Sequence, residues 1–120
     1  MILHTIRFTL KPNERKDQVE VVFEQLRKCD REIKAVQYFC VGRDFGGEFE
    51  YGAMYAFKDI GGYREYMLSP IHLKTDELGP PVVEKMISMD ITDDEDPAIG
   101  YKIRDISIQK GSKTIPPSLA

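Results

Sequence analysis

At 120 residues the chain is the size of one domain, and 42% hydrophobic with 10% aromatic residues permits a packed core without staples. A formal net charge of −3 and a pI near 5.4 argue against nucleic acid, whose binding needs a concentrated basic face. No GxxxxGK phosphate loop, GxGxxG turn or HExxH pair is present, and each absence removes a large enzyme class.

Residues 2–10 alternate cleanly. Ile2, His4, Ile6, Phe8 and Leu10 share one face, and Leu3, Thr5, Arg7 and Thr9 the other, which predicts a first strand with one strongly apolar side. Lys11-Pro12-Asn13 is turn chemistry. Val19, Val22, Phe23, Leu26 and Cys29 then follow helical spacing, so an amphipathic helix is expected over 14–29. A second strand is expected over 34–43, a hairpin connection at Asp44-Phe45-Gly46-Gly47, and a third strand over 48–58. Asp59 is a good N-cap for a helix over 60–68. Ser69-Pro70 ends that helix and opens another, because the residue before proline is pushed out of helical geometry. Gly79-Pro80-Pro81 is a second interruption; a few helical residues, Val82 to Lys85, lead into a fourth strand over 86–92. The tail opens on Asp93-Asp94-Glu95-Asp96-Pro97, a helix start, and Ile99, Ile103 and Ile106 predict a short helix over 97–109 that Gly111 stops, with fraying from Thr114.

The order is β-α-β-β-α-β: an α+β, ferredoxin-like fold with a four-stranded antiparallel sheet. Two domain-scale regions follow, 1–92 and a C-terminal extension over 93–120. Two helices cover one face of the sheet. The other face, with Leu3, Thr5, Arg7, Met54 and Ala56, needs a cover, and pairing two such sheets in a homodimer supplies it. The N-terminus runs straight into a strand pattern and no apolar run approaches the ~18 residues of a membrane span, so a cytoplasmic protein with no membrane partner is expected. Cys29 and Cys40 sit in apolar patterns and read as reduced thiols.

The stretch from Tyr63 to His72 carries the candidate chemistry. An unbroken helix turns by about 600° over the six residues from Tyr66 to His72 and separates the two side chains. The Ser69-Pro70 break can fold His72 back toward Tyr66. His72 lies in the first turn of the helix begun by Pro70, where added positive charge is disfavoured, so a neutral imidazole and a general-base role are expected. His4, on the apolar face of the first strand, needs a hydrogen-bond partner, a tyrosine or a backbone carbonyl being the plainest. If Tyr66, His72 and His4 converge, then Tyr51, Ala53, Tyr55 and Phe57 of the third strand and Val22, Phe23 and Leu26 of the first helix wall an apolar pocket for a small molecule. His72 and Asp76, four apart, supply two ligands and no metal site. No serine or cysteine has a nucleophile's context.

His4-Thr-Ile-Arg-Phe, Gly42-Arg-Asp-Phe, the strand from Tyr51 to Phe57 and Tyr66-Met-Leu-Ser-Pro-Ile-His72 resemble the stress-responsive dimeric α/β-barrel (Dabb) family over about residues 1–92. The resemblance extends to its olivetolic acid cyclase type of polyketide cyclase. It implies a homodimer whose two sheets close into a barrel, and cofactor-free ring closure of an aldol type. It also implies that Tyr66 and His72 do acid–base work: His72 removes a proton beside a carbonyl, Tyr66 hydrogen-bonds the enolate, and His4 orients. The chain departs from the pattern at Ser69, where the family often has histidine, at Tyr51, where the cyclase has another, and at Leu26, which replaces a pocket tyrosine. Two other roles fit the family: a non-catalytic stress-associated protein that binds an apolar molecule, and a cofactor-free monooxygenase.

Overall fold

The computed structural model describes residues 1–12 and 16–114, with side chains through Gly111. The elements are β1 (Ile2–Leu10), α1 (Lys16–Glu32), β2 (Tyr38–Arg43), β3 (Tyr51–Phe57), α2 (Ile60–Leu68), α3 (Pro70–Leu78), β4 (Val83–Thr92) and α4 (Ile99–Thr114). All strand pairs are antiparallel, in the order β2-β3-β1-β4. This is a ferredoxin-like α+β fold with an added C-terminal helix.

The central strand β1 sets the register. Ile2, His4, Ile6 and Phe8 stand opposite Phe57, Tyr55, Ala53 and Tyr51 on one side and Thr92, Asp90, Ser88 and Met86 on the other. All of these side chains project to the helix-bearing face, because strand residues alternate with period two. The main core lies there, around Ile2, Cys29, Ile33, Tyr55, Phe57 and Tyr66. The opposite face carries Leu3, Met54, Ile87, Met89 and Ile91, the last three strongly exposed.

The caps expected around residue 70 are present. The Gly62 N–H donates to Asp59 Oδ1 at 3.0 Å, and the Ile71 N–H donates to Ser69 Oγ at 3.2 Å. These bonds satisfy orphan donors at the two helix starts.

Several boundaries differ from the sequence reading, among them that of β2, which starts at Tyr38 rather than at residue 34. The α1 helix runs three residues past Cys29, which lets Ile33 bury directly after its end; residues 14 and 15 of its expected start lie outside the described residues. The β2–β3 connection spans 44–50, closed by the Asp44 N–H donating to the Glu50 carbonyl at 2.9 Å, with Gly46 at φ 93°. Glu50 and Phe49 turn toward neighbouring strands instead of extending β3: Glu50 Oε1 accepts from the Leu10 N–H, and Lys85 lies over the Phe49 ring. Val82 to Lys85 is not helical. The Lys11 N–H donates to the Val82 carbonyl at 2.9 Å, and β4 joins β1 from Val83 across an irregularity at Thr9/Leu10. Pairing with β1 wins over local helix preference there. Finally, α4 continues through Gly111. A single glycine costs a helix only about 1 kcal/mol, which the packing of Ile99, Ile103 and Ile106 on the core outweighs. Thr114, where fraying is expected to begin, still belongs to α4, and 115–120 lie outside the described residues. In this chain α4 packs on its own α2 and α3.

Candidate functional site

Between the helices and the β1–β4 half of the sheet lies a cavity of about 320 Å³. Its apolar wall is Ile6, Phe8, Val22, Leu26 and Val83, and its polar wall includes His4, Tyr66, His72, Thr75, Ser88 and Lys110. The break at Ser69-Pro70 is what brings His72 back. Its ring centroid lies 4.3 Å from that of Tyr66 and 6.5 Å from that of His4, while His4 and Tyr66 are 6.0 Å apart. The turn is tied down from α1: Gln25 Nε2 donates to the Ile71 carbonyl at 2.8 Å, and the Cys29 thiol meets Thr75 Oγ1 at 3.3 Å.

The two histidines differ in their partners. His4 Nδ1 lies 2.7 Å from Asp90 Oδ1, and the Tyr63 hydroxyl donates to Asp90 Oδ2 at 3.3 Å. A carboxylate on Nδ1 fixes the proton there and leaves Nε2 as the acceptor of the neutral ring. His72 has no hydrogen-bond partner on either ring nitrogen, although it is only 5% exposed. The Asp76 carboxylate approaches Nε2 to 3.7 Å, too far for a hydrogen bond. Burial, then the charges of Lys110 and His4, lower the His72 pKa to about 3. The imidazole is therefore neutral at pH 7, and desolvation contributes more to this than the helix terminus named in the sequence reading.

Tyr66 is fully buried, and burial raises its pKa, followed by the charges of nearby groups. Its ring lies 5.0 Å from that of Tyr55, whose hydroxyl donates to the Leu26 carbonyl at 3.1 Å.

Of the residues expected to line a pocket, His4, Tyr66, His72, Val22 and Leu26 do so. Tyr51, Ala53, Tyr55, Phe57 and Phe23 do not. Tyr55, Phe57 and Ala53 belong to β3, on the far side of β1 from the cavity, where they pack solidly; Tyr66 is 5.0 Å from both the Tyr55 and Phe57 rings. Tyr51 and Phe23 pack on each other at 5.1 Å, beside Phe8. The cavity is walled by β4, through Val83, Met86 and Ser88, rather than by β3. Asp90 and Lys110 were not singled out from the sequence. Alternation along β4 is a usable signal for Asp90, since it places a carboxylate inward opposite His4; nothing local marks Lys110. Among the described residues no group of three or more His, Cys, Asp or Glu is placed to hold a metal ion, and no helix is long and apolar enough to cross a membrane.

No curated protein matches the chain. A ferredoxin-like Dabb family protein from Mesorhizobium loti is 25% identical, with 76% of this chain and 94% of that one covered and a TM-score of 0.65. A dimeric ferredoxin-like protein of unknown function from Thermobifida fusca is 22% identical, covering 76% and 89%, at a TM-score of 0.66. The hydroxynitrile lyase of Passiflora edulis is 15% identical, covering 78% and 94%, at 0.68. The model of the stress responsive A/B barrel domain, Dabb, matches residues 2–93, which hold the whole sheet, both histidines and Tyr66; the chain belongs to that family.

Proposed function

We propose that this protein is a homodimer that binds a small apolar carbonyl compound in the cavity beside β4 and acts on it by cofactor-independent acid–base chemistry, as a lyase or cyclase does. The observation that carries this reading is His72: a buried imidazole with neither nitrogen satisfied, facing a cavity that also holds the oriented His4. Buried polar groups are ordinarily partnered, and a ligand oxygen is the partner this one lacks.

The roles divide by electrostatics. A pKa of about 3 makes His72 a poor proton acceptor, so its N–H is better used as a neutral donor to a carbonyl oxygen. His4, held by Asp90, takes the proton from the adjacent carbon through Nε2. The C–H electron pair moves into the enolate, whose oxygen the His72 N–H stabilises. Tyr66 holds the His72 ring from one side, the ring centroids 4.3 Å apart. The resemblance gives the base to His72 and the donor to Tyr66; the His4–Asp90 hydrogen bond and the burial of His72 favour this other division.

The dimer rests on the sheet face opposite the helices. Ile87, Met89, Ile91 and Tyr38 are each more than 40% exposed there, an apolar patch that a second copy buries by two-fold pairing. The Thermobifida relative is described as dimeric.

The test is proton exchange. Wild-type protein is expected to speed deuterium incorporation beside the carbonyl of 2-octanone in D2O, followed by proton NMR. His4→Asn is expected to lose on the order of 100-fold of that rate. No acceleration over buffer, or full activity in His4→Asn, overturns the acid–base reading. Saturable binding of the ketone with no exchange supports the second reading, an apolar-ligand carrier, which the wall of Ile6, Phe8, Val22, Leu26 and Val83 also fits.

A further inference from the structure

We propose that Lys110 makes the cavity selective for an anionic substrate, a carbonyl compound that also carries a carboxylate. The proposal rests on the ligand-binding reading above and adds the substrate's charge. Lys110 lies on α4, beyond the residues 2–93 that define the family, yet its side chain lines the same cavity as His72. It arrives there because Ile99, Ile103 and Ile106 seat α4 on the core.

The ammonium is held in place. Lys110 Nζ lies 3.1 Å from Asp76 Oδ2, and the side chain is only 24% exposed. A lysine has three donors, so one ammonium can hold Asp76 and donate to a substrate oxygen as well. The other charged groups around the cavity are Asp76, Glu84 and Lys85. Lys85 is paired 3.9 Å from Glu48 and lies over the Phe49 ring. Burial is the main reason the His72 ring resists protonation, and the charge of Lys110 comes next. An ammonium in the cavity wall can donate a charge-assisted hydrogen bond to an anion in the neighbouring space. The long apolar wall then takes an alkyl or aryl body, with the carboxylate at the α4 end.

Calorimetric titration with octanoate and with octanol tests this, since the two probes share an apolar chain and differ in charge. Wild type is expected to bind octanoate about tenfold more tightly than octanol, the gain of one charge-assisted hydrogen bond. Lys110→Gln is expected to erase that preference while keeping the octanol affinity; Lys110→Arg is expected to retain it. The arginine variant decides the matter if the glutamine variant loses octanol binding as well. Equal affinity of wild type for the two probes overturns the proposal but leaves the apolar cavity as a ligand site. A carboxylate preference that survives in Lys110→Gln also overturns it. Failure of wild type to bind either probe overturns both this proposal and the reading beneath it.

Discussion

The strand β1 divides the helix-bearing face of the sheet into two unlike halves. On the β3 side, Ala53, Tyr55 and Phe57 are all at most 4% exposed and pack against Tyr63, Tyr66 and Cys29. On the β4 side, Met86 is 59% exposed, and Val83 and Ser88 border the cavity. The same β1 side chains serve both. On one side α2 packs on β3 and closes the layer, whereas α1 through Val22 and Leu26, α3 and the added α4 border the space beside β4 without filling it. Aromatic bulk is spent on closing one half, and the imidazole of His72, with both nitrogens unpartnered, lies in the other. A site emerges where coverage runs out, and the helix from outside the family domain supplies part of that cover.

The largest expected effect breaks the solid half. Phe57→Ala removes a fully buried ring and is expected to cost about 3–5 kcal/mol, whereas Met86→Ala, in β4, is expected to cost less than about 1 kcal/mol. Urea unfolding midpoints with unchanged m-values measure both. Equal losses at the two positions are incompatible with a cavity on one side only.

How much of this was legible follows the same division. Alternation in β1, the Asp59 cap and the Ser69-Pro70 break depend on neighbours within a few residues, and they gave the element order, the strand face of His4 and the return of His72 toward Tyr66. The pocket wall depends on which strand lies beside β1 on the open side. Tyr51, Ala53, Tyr55 and Phe57 have the right strand and the right face, but β3 is the covered neighbour. Whether β3 or β4 borders a space is decided by where helices sit, and no local pattern records that. The start of β4 was missed for a similar reason, since pairing with Leu10 and Thr9 overrode the helical look of Val82 to Lys85. Lys110 was out of reach altogether, because its position depends on how a whole helix docks.

The open half is also expected to be the acid-sensitive one. The His72 pKa falls from an ordinary 6.5 to about 3 in the folded protein. Between those values the unfolded chain holds more protons than the native one, so stability falls as pH drops through this window. The contribution is at most one proton, about 1.4 kcal/mol per pH unit. His72→Asn is expected to flatten the stability–pH curve between about pH 6 and pH 4 by up to roughly 2–3 kcal/mol in all. Denaturant unfolding at several pH values measures it, and a slope identical to wild type shows that the imidazole takes up its proton in the native cavity.

The solid half is expected to respond in the opposite sense, and more weakly. Asp30 on α1 is 8% exposed and neither carboxylate oxygen has a hydrogen-bond partner; burial, resisted by Arg31 and Arg27, raises its pKa from 3.8 to about 7. Here the native state holds more protons than the unfolded chain between about pH 4 and pH 7, so this residue's contribution becomes less favourable as pH rises and its full cost is reached above pH 7. Asp30→Asn removes the charge with little change in volume. It is expected to stabilise the protein by on the order of 1 kcal/mol at pH 8 and to change little at pH 4. The two variants should therefore tilt the stability–pH curve in opposite directions. If Asp30→Asn instead destabilises the protein at pH 8, the carboxylate has a partner in solution and the tightly packed side of the sheet is as open to polar groups as the side facing β4.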